Sequence, residues 1–249
     1  MSTLLEYTLY LADSTLLLGH RNSEWCGHGP VLEQDIAITN ISLDLIGQAR
    51  NFYQYAAELK NDGSTEDTLA YLRDAREFKN SLLIELPKGD WAKTILRQFF
   101  FSNYQHLLYT KLQHSNDQQL AAIATKALKE VVYHLRWSSE WVIRLGDGTE
   151  ESHRRIRQAL EELWAYTGEL FIPSSFEKEL SDQQIISDPA TLKAAWQERT
   201  ADVFNTANIG MPGDVYMHKG GKEGDHSEYL GFILAEMQFL QRAYPNATW

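Results

Sequence analysis

The sequence predicts an all-α protein, an antiparallel four-helix bundle with additional packed helices, and three observations lead there. Apolar residues recur at three- and four-residue steps over long stretches, which is the period of a helix. No segment alternates with the two-residue period of a half-buried strand, so strand content should be near zero. Only 6 prolines fall in 249 residues, most of them between the periodic segments, which leaves room for long helices. With 43% hydrophobic residues the chain can bury one substantial core, and residues 1–249 are expected to form a single domain.

The first helix is expected over about 3–22, where Leu4, Tyr7, Leu11, Thr15 and Leu18 share a face. "CGHGP" then breaks the chain, and Pro30 suits the first turn of a second helix over 31–60, with apolar residues at 32, 36, 43, 46, 49, 53 and 56. Asn61-Asp62-Gly63 stops it. A shorter helix over about 65–79 is followed by the interruption "LIELPKGD", after which Asp90 can cap a third long helix over 90–114. Asp117 opens a fourth that runs to Gly146. Further helical patterns occupy about 152–171, 189–208 and 227–243. Long helices joined by short connections pack as antiparallel neighbours, so segments 3–22, 31–60, 90–114 and 117–146 are the expected bundle core. The glycine-rich "KGGKEGDHSEYLG" at 219–231 reads as a mobile, solvated loop in preference to a phosphate site built on Lys219 and Lys222.

Composition excludes several functions. Lys and Arg total 23 against 34 for Asp and Glu, and a net charge of −11 argues against binding nucleic acid or an anionic membrane surface. The single cysteine, Cys26, can form neither an internal bridge nor a CxxC site and fits a reducing compartment. The N-terminus lacks a basic leader, and Glu6 and Asp13 interrupt it, so it is neither a signal peptide nor a membrane span. A cytoplasmic protein is expected.

A helical bundle commonly becomes an enzyme through a carboxylate-bridged di-metal centre, with Glu from two helices and Glu-x-x-His from two others. No Glu-x-x-His occurs in the core helices: Glu130 and His134 stand four apart, and Val131 occupies the position three before the histidine. The second helix offers Glu33, Asp35 and Asp44 without a histidine, and "ILRQFFFSNYQHLLY" in the third contains no acid. Glu236 in "LAEMQFLQ" is again followed by no histidine. A ferrous pair carries about four positive charges that carboxylates must compensate in a dry interior, so the ligand set falls short. His134 therefore reads as a hydrogen-bonded core histidine. Glu24 and His28 read as loop-packing groups beside Cys26, which lacks the cationic surroundings of a reactive thiol. Trp137, Trp141, Trp164 and Tyr166 lie at helical spacings as core or interface aromatics. No phosphate-binding glycine loop, GxSxG motif or Ser-His-Asp set stands out.

Three long strings, "EWCGHGPVLEQDIAITNISLDLIGQARNFYQYAAEL", "KEVVYHLRWSSEWVIRLGDGT" and "GGKEGDHSEYLGFILAEMQFLQRAYP", closely resemble the C-subunit family of the bacterial phenylacetyl-CoA epoxidases. The similarity spans almost the entire chain. It implies a ferritin-like fold and a structural, non-catalytic place in a multicomponent monooxygenase that epoxidises the ring of phenylacetyl-CoA in aerobic phenylacetate catabolism. The partners it implies are a catalytic A subunit that holds the di-iron centre and a reductase subunit that delivers electrons from NADPH.

The A and C subunits look like diverged copies of one ancestor, so the catalytic motif can be laid over this chain. Its first Glu falls on Glu24, after Ser23, and its first Glu-x-x-His falls on Leu45 and Gln48. The acid of the third helix falls on Ser102, and the second Glu-x-x-His on Val131 and His134. On this overlay the chain itself takes no metal or other cofactor, and alone it should be a folded homodimer. The alternative is an autonomous ferritin-like di-iron oxygenase or metal-binding enzyme that uses Glu24, Glu33, Glu130 and His134.

Overall fold

The computed structural model describes residues 2–245 and 247. Among these residues are eleven α-helices, several joined through short 3-10 turns, and no strand. The all-α class is as predicted, and it is consistent with a ferritin-like helical bundle. Two compact units divide the chain: one runs to Pro87 and resumes at Lys219, and the other is Lys88–His218.

The first unit is built on α1 (Thr3–Ser23) and α2 (Leu32–Lys60). Ser2 caps α1, its hydroxyl accepting from the Leu5 amide at 3.3 Å. The two helices run antiparallel: Gly19, near the end of α1, meets the middle of α2, whereas Asp13 meets Tyr53 farther along it. A Cβ at Gly19 would lie 3.0 Å from Ile46 Cγ1, so the missing side chain lets the helices approach. Ile38, Ile41, Leu45, Gln48, Ala49 and Phe52 form the buried face of α2. Asn61, left-handed at φ 50°, ends the helix where the sequence predicts. Leu32, Ile36 and Leu43, expected inward, are instead exposed. The helix carries two apolar stripes, and the polar Ser42 and Gln48 within the inner one disguise it.

The helix expected over 65–79 is interrupted. Only α3 (Glu66–Tyr71) is α-helical, because Arg73 turns inward to Asp13 and Asp74 and Glu77 then cap a 3-10 turn at Ala75–Glu77. A short α4 (Leu82–Glu85) lies in the stretch read as an interruption. The segment after 219 is not a solvated loop: Gly221 and Lys222 are buried in a 3-10 turn, with the Lys222 ammonium 5.0 Å from the Tyr10 ring. Gly221 is obligatory there, since a Cβ would fall 2.3 Å from the Asn80 carbonyl oxygen. α10 (Glu228–Met237) and α11 (Phe239–Ala243) follow, and the Gln238 amide donates to the Arg73 carbonyl at 3.0 Å.

The second unit is built on α5 (Trp91–Leu112) and α6 (Gln118–Gly146), capped by Asp90 and Asp117 as predicted. Trp91, at the start of α5, packs edge-on against Trp137 and Trp141 toward the end of α6, which makes the pair antiparallel. α7 (Glu150–Leu163) ends earlier than expected and continues as 3-10 turns through Phe171. α8 (Ser175–Asp182) precedes α9 (Lys193–Thr206). The Trp196 indole of α9 donates to the Phe100 carbonyl at 3.0 Å. Its ring lies 5.5, 5.9 and 5.3 Å from those of Phe100, Trp164 and Phe171. Tilted and edge-on pairs of this kind contribute about 0.5–1.5 kcal/mol each beyond burial, so α9 is held on α5 largely by this cluster.

Candidate functional site

The six overlay positions divide between the units. In the second unit, Ser102 on α5 and Val131 and His134 on α6 are fully buried. Val131 and His134 stand one turn apart on one face, the spacing of a metal-binding pair, with a hydrocarbon where the carboxylate would be. The Ser102 hydroxyl accepts from the Gln98 amide at 2.7 Å, so α5 supplies a neutral amide–hydroxyl pair at its position. Glu130, half-buried on α6, lies close enough to Tyr109 to help raise its phenol pKa, a rise due mainly to burial and partly offset by a hydrogen bond to Gln105.

In the first unit, Leu45 and Gln48 lie one turn apart on the buried face of α2. Glu24 caps the end of α1 and is half-exposed; its carboxylate accepts from Arg21 Nη1 at 2.8 Å. Arg21 Nη2 also donates to the Glu85 carbonyl at 2.7 Å, so the arginine both neutralises Glu24 and ties α1 to α4. Glu33 is exposed in the first turn of α2. Cys26 and His28 are exposed, and the His28 ring lies 3.1 Å from the Cys26 carbonyl oxygen. Asp35 closes this loop by accepting from the Gly29 and Gly27 amides at 2.9 and 3.1 Å, bonds that hold its carboxyl below the usual range.

A di-iron centre needs about four carboxylates and two imidazoles. Leu45, Gln48, Ser102 and Val131 supply none, so the residues at the six positions do not fit that group. Among the described residues, no three His, Cys, Asp or Glu side chains come together in a manner that could hold a metal ion.

Two buried polar networks in the first unit escaped sequence reasoning. Asp13 accepts from Tyr53 Oη at 2.5 Å, from the Lys79 amide at 2.8 Å and from the Arg73 guanidinium. Arg73 also donates to the Glu77 carbonyl at 2.9 Å, and its guanidinium sits 4.2 Å from the Phe78 ring centroid. Burial and then the Asp13 charge raise the Tyr53 phenol well above its ordinary value, so it stays a hydrogen-bond donor. Glu85, fully buried, accepts from the Asn80 amide at 2.9 Å and the Ser227 backbone amide at 2.6 Å, and pairs with His226 Nδ1 at 2.9 Å. These networks clamp segments distant in sequence, and every carboxylate oxygen in them has a partner.

The buried face of α2 carries no carboxylate, and Val131 stands three residues before the buried His134 on α6. Residues 1–249 match the family model of phenylacetic acid catabolic proteins, and the chain belongs to that family. It is 49% identical over 249 residues, 100% of both chains, to the C subunit of 1,2-phenylacetyl-CoA epoxidase from Escherichia coli (strain K12).

Proposed function

We propose that this protein is the structural, non-catalytic subunit of a multicomponent phenylacetyl-CoA epoxidase, where it binds and positions the catalytic di-iron subunit. The observation that carries the proposal is 49% identity along the whole chain to the C subunit of such an epoxidase. The match of one family model to residues 1–249 supports treating the chain as one domain in that role. It works in the cytoplasm without a cofactor of its own, as a homodimer until its partner is present. The reductase of the assembly serves the catalytic subunit.

The non-catalytic part of the proposal is supported by residue chemistry. Removing metal and charged ligands together, and filling the volume with Leu45 and Val131, avoids the several kcal/mol that each unpaired buried acid would cost. Mixing the purified chain with the catalytic subunit tests the proposal by co-purification and turnover. Stable association, with epoxidation only when the catalytic subunit is present, is expected. Epoxidation by the chain alone, or failure to associate, would overturn it.

A further inference from the structure

The C-terminal helices α10 and α11 turn an apolar face outward. Phe232 and Phe239 are each 64% exposed, while α10 buries Leu230, Ile233, Leu234 and Met237 on its other side. Gln238 at the junction keeps right-handed helical torsions, and the amides of Gln238 and Arg242 each bond four residues back, at 2.9 and 3.0 Å, so one helical wheel carries across it. On that wheel Glu228, Gly231, Phe232, Ala235, Phe239 and Arg242 share a face, and all six are exposed. Gly231, Ala235, Phe239 and Arg242 also line one open groove of about 550 Å³ with Asp74 and Ala75.

This face contains both halves of a contact. A Cβ at Gly231 would meet nothing within 4 Å, and its φ is not positive, so no described neighbour requires glycine there. A glycine inside a helix costs about 0.5–1 kcal/mol relative to alanine. Glu228, Gly231, Phe232 and Ala235 form the four corners of a hole of the kind that receives a side chain from a facing helix. Phe239 is a knob that the first unit leaves uncovered.

Spacing indicates what fills the hole. Gly231 and Phe239 stand four residues to either side of Ala235, and Glu228 and Arg242 stand seven. Two copies paired antiparallel on a two-fold axis through Ala235 therefore set each Phe239 into the other's hole, against its Phe232, and each Arg242 beside the other's Glu228. Arg242 Nη2 is held by Asp74 at 3.0 Å and the Arg73 carbonyl at 3.1 Å, and Nε by Gln238 at 3.0 Å, which leaves Nη1 for that contact. Parallel pairing would set Gly231 on Gly231 and Glu228 on Glu228. Glu236, the one other charge in residues 228–245, lies about a quarter-turn off the face. With two acids and one base, this segment lets copies approach although each carries a net charge of −11.

We infer that the Glu228–Arg242 face is where two copies of this chain pair, antiparallel about Ala235. The inference rests on the homodimeric state proposed above. The test follows the oligomeric state of the full-length chain by sedimentation, with helicity by circular dichroism, for wild type, Gly231→Leu and Phe239→Lys. Cys26 is the only cysteine, so in a Cys26→Ser background Ala235→Cys and Ala243→Cys are each oxidised with diamide. The expected result is a dimeric wild type, with the dimer weakened by about tenfold or more in both folded variants. Ala235→Cys, on the axis, should cross-link two copies rapidly, whereas Ala243→Cys, with copies about 24 Å apart along the helices, should not. If a face variant misfolds, the cross-link decides alone. A dimeric wild type whose variants stay dimeric, with no preferential cross-link through Ala235→Cys, would overturn the face while leaving the homodimer standing. Variants that lose the catalytic subunit and keep the dimer would give the face to that subunit, and the inference fails. A wild type that is monomeric at every concentration would remove the homodimeric state and the inference together.

Discussion

His226 donates from Nε2 to the Phe78 carbonyl at 2.9 Å, which leaves Nδ1, 2.9 Å from the Glu85 carboxylate, to carry a second proton. Burial opposes that charge, but the hydrogen bond to Glu85 and its charge outweigh burial and raise the histidine pKa. The folded state therefore holds the proton more tightly than the unfolded chain does. Its contribution to stability is fully present below the unfolded histidine pKa of about 6.5 and is lost as pH rises through the raised folded value. Urea titrations across this window should show stability falling with pH, and His226→Gln should flatten that slope. A slope unchanged in the variant would refute the assignment. His134 is fully buried with Val131, not an acid, three residues before it, so His134→Leu should cost about 1–3 kcal/mol of stability while turnover per assembled complex stays the same. Loss of turnover with assembly intact would contradict that. That Leu45, Gln48, Ser102 and Val131 are neutral is a matter of residue type and was legible in the sequence, whereas their burial needed the packed structure. The Glu85–His226 pair was not legible, because 141 residues separate its members and nothing local marks either one.

Glycines act with opposite sign on different helices. At Gly146, where α6 ends, a Cβ would fall 2.2 Å from the Ala207 carbonyl oxygen beyond α9, so the two segments meet backbone to backbone. Gly146→Ala should destabilise by about 1–3 kcal/mol, seen as a lower Tm, whereas Gly47→Ala in the open middle of α2 should raise it. A neutral Gly146→Ala would show that the junction yields without cost. The long helices were readable because local chemistry determines their ends: Ser2, Asp90 and Asp117 each cap the helix that follows. The break after α3 was not, because it depends on Arg73 reaching Asp13, 60 residues away. The two apolar stripes of α2 look alike in the sequence, and only the packed structure separates the one facing α1 from the one facing outward.

For the whole molecule, identity along the full length to the C subunit of an epoxidase makes this a chain that serves an assembly. The class of fold was available from periodicity alone, whereas the assembly was visible only through the full-length family resemblance, since composition and period specify no partner. No described helix is long and apolar enough to cross a membrane. The most direct test is iron content: the isolated chain, purified without chelators and loaded anaerobically with ferrous iron, is desalted and assayed. Substoichiometric iron, with no oxo-bridge absorption after exposure to air, is the predicted result. A pair of irons per chain with that absorption would contradict the account.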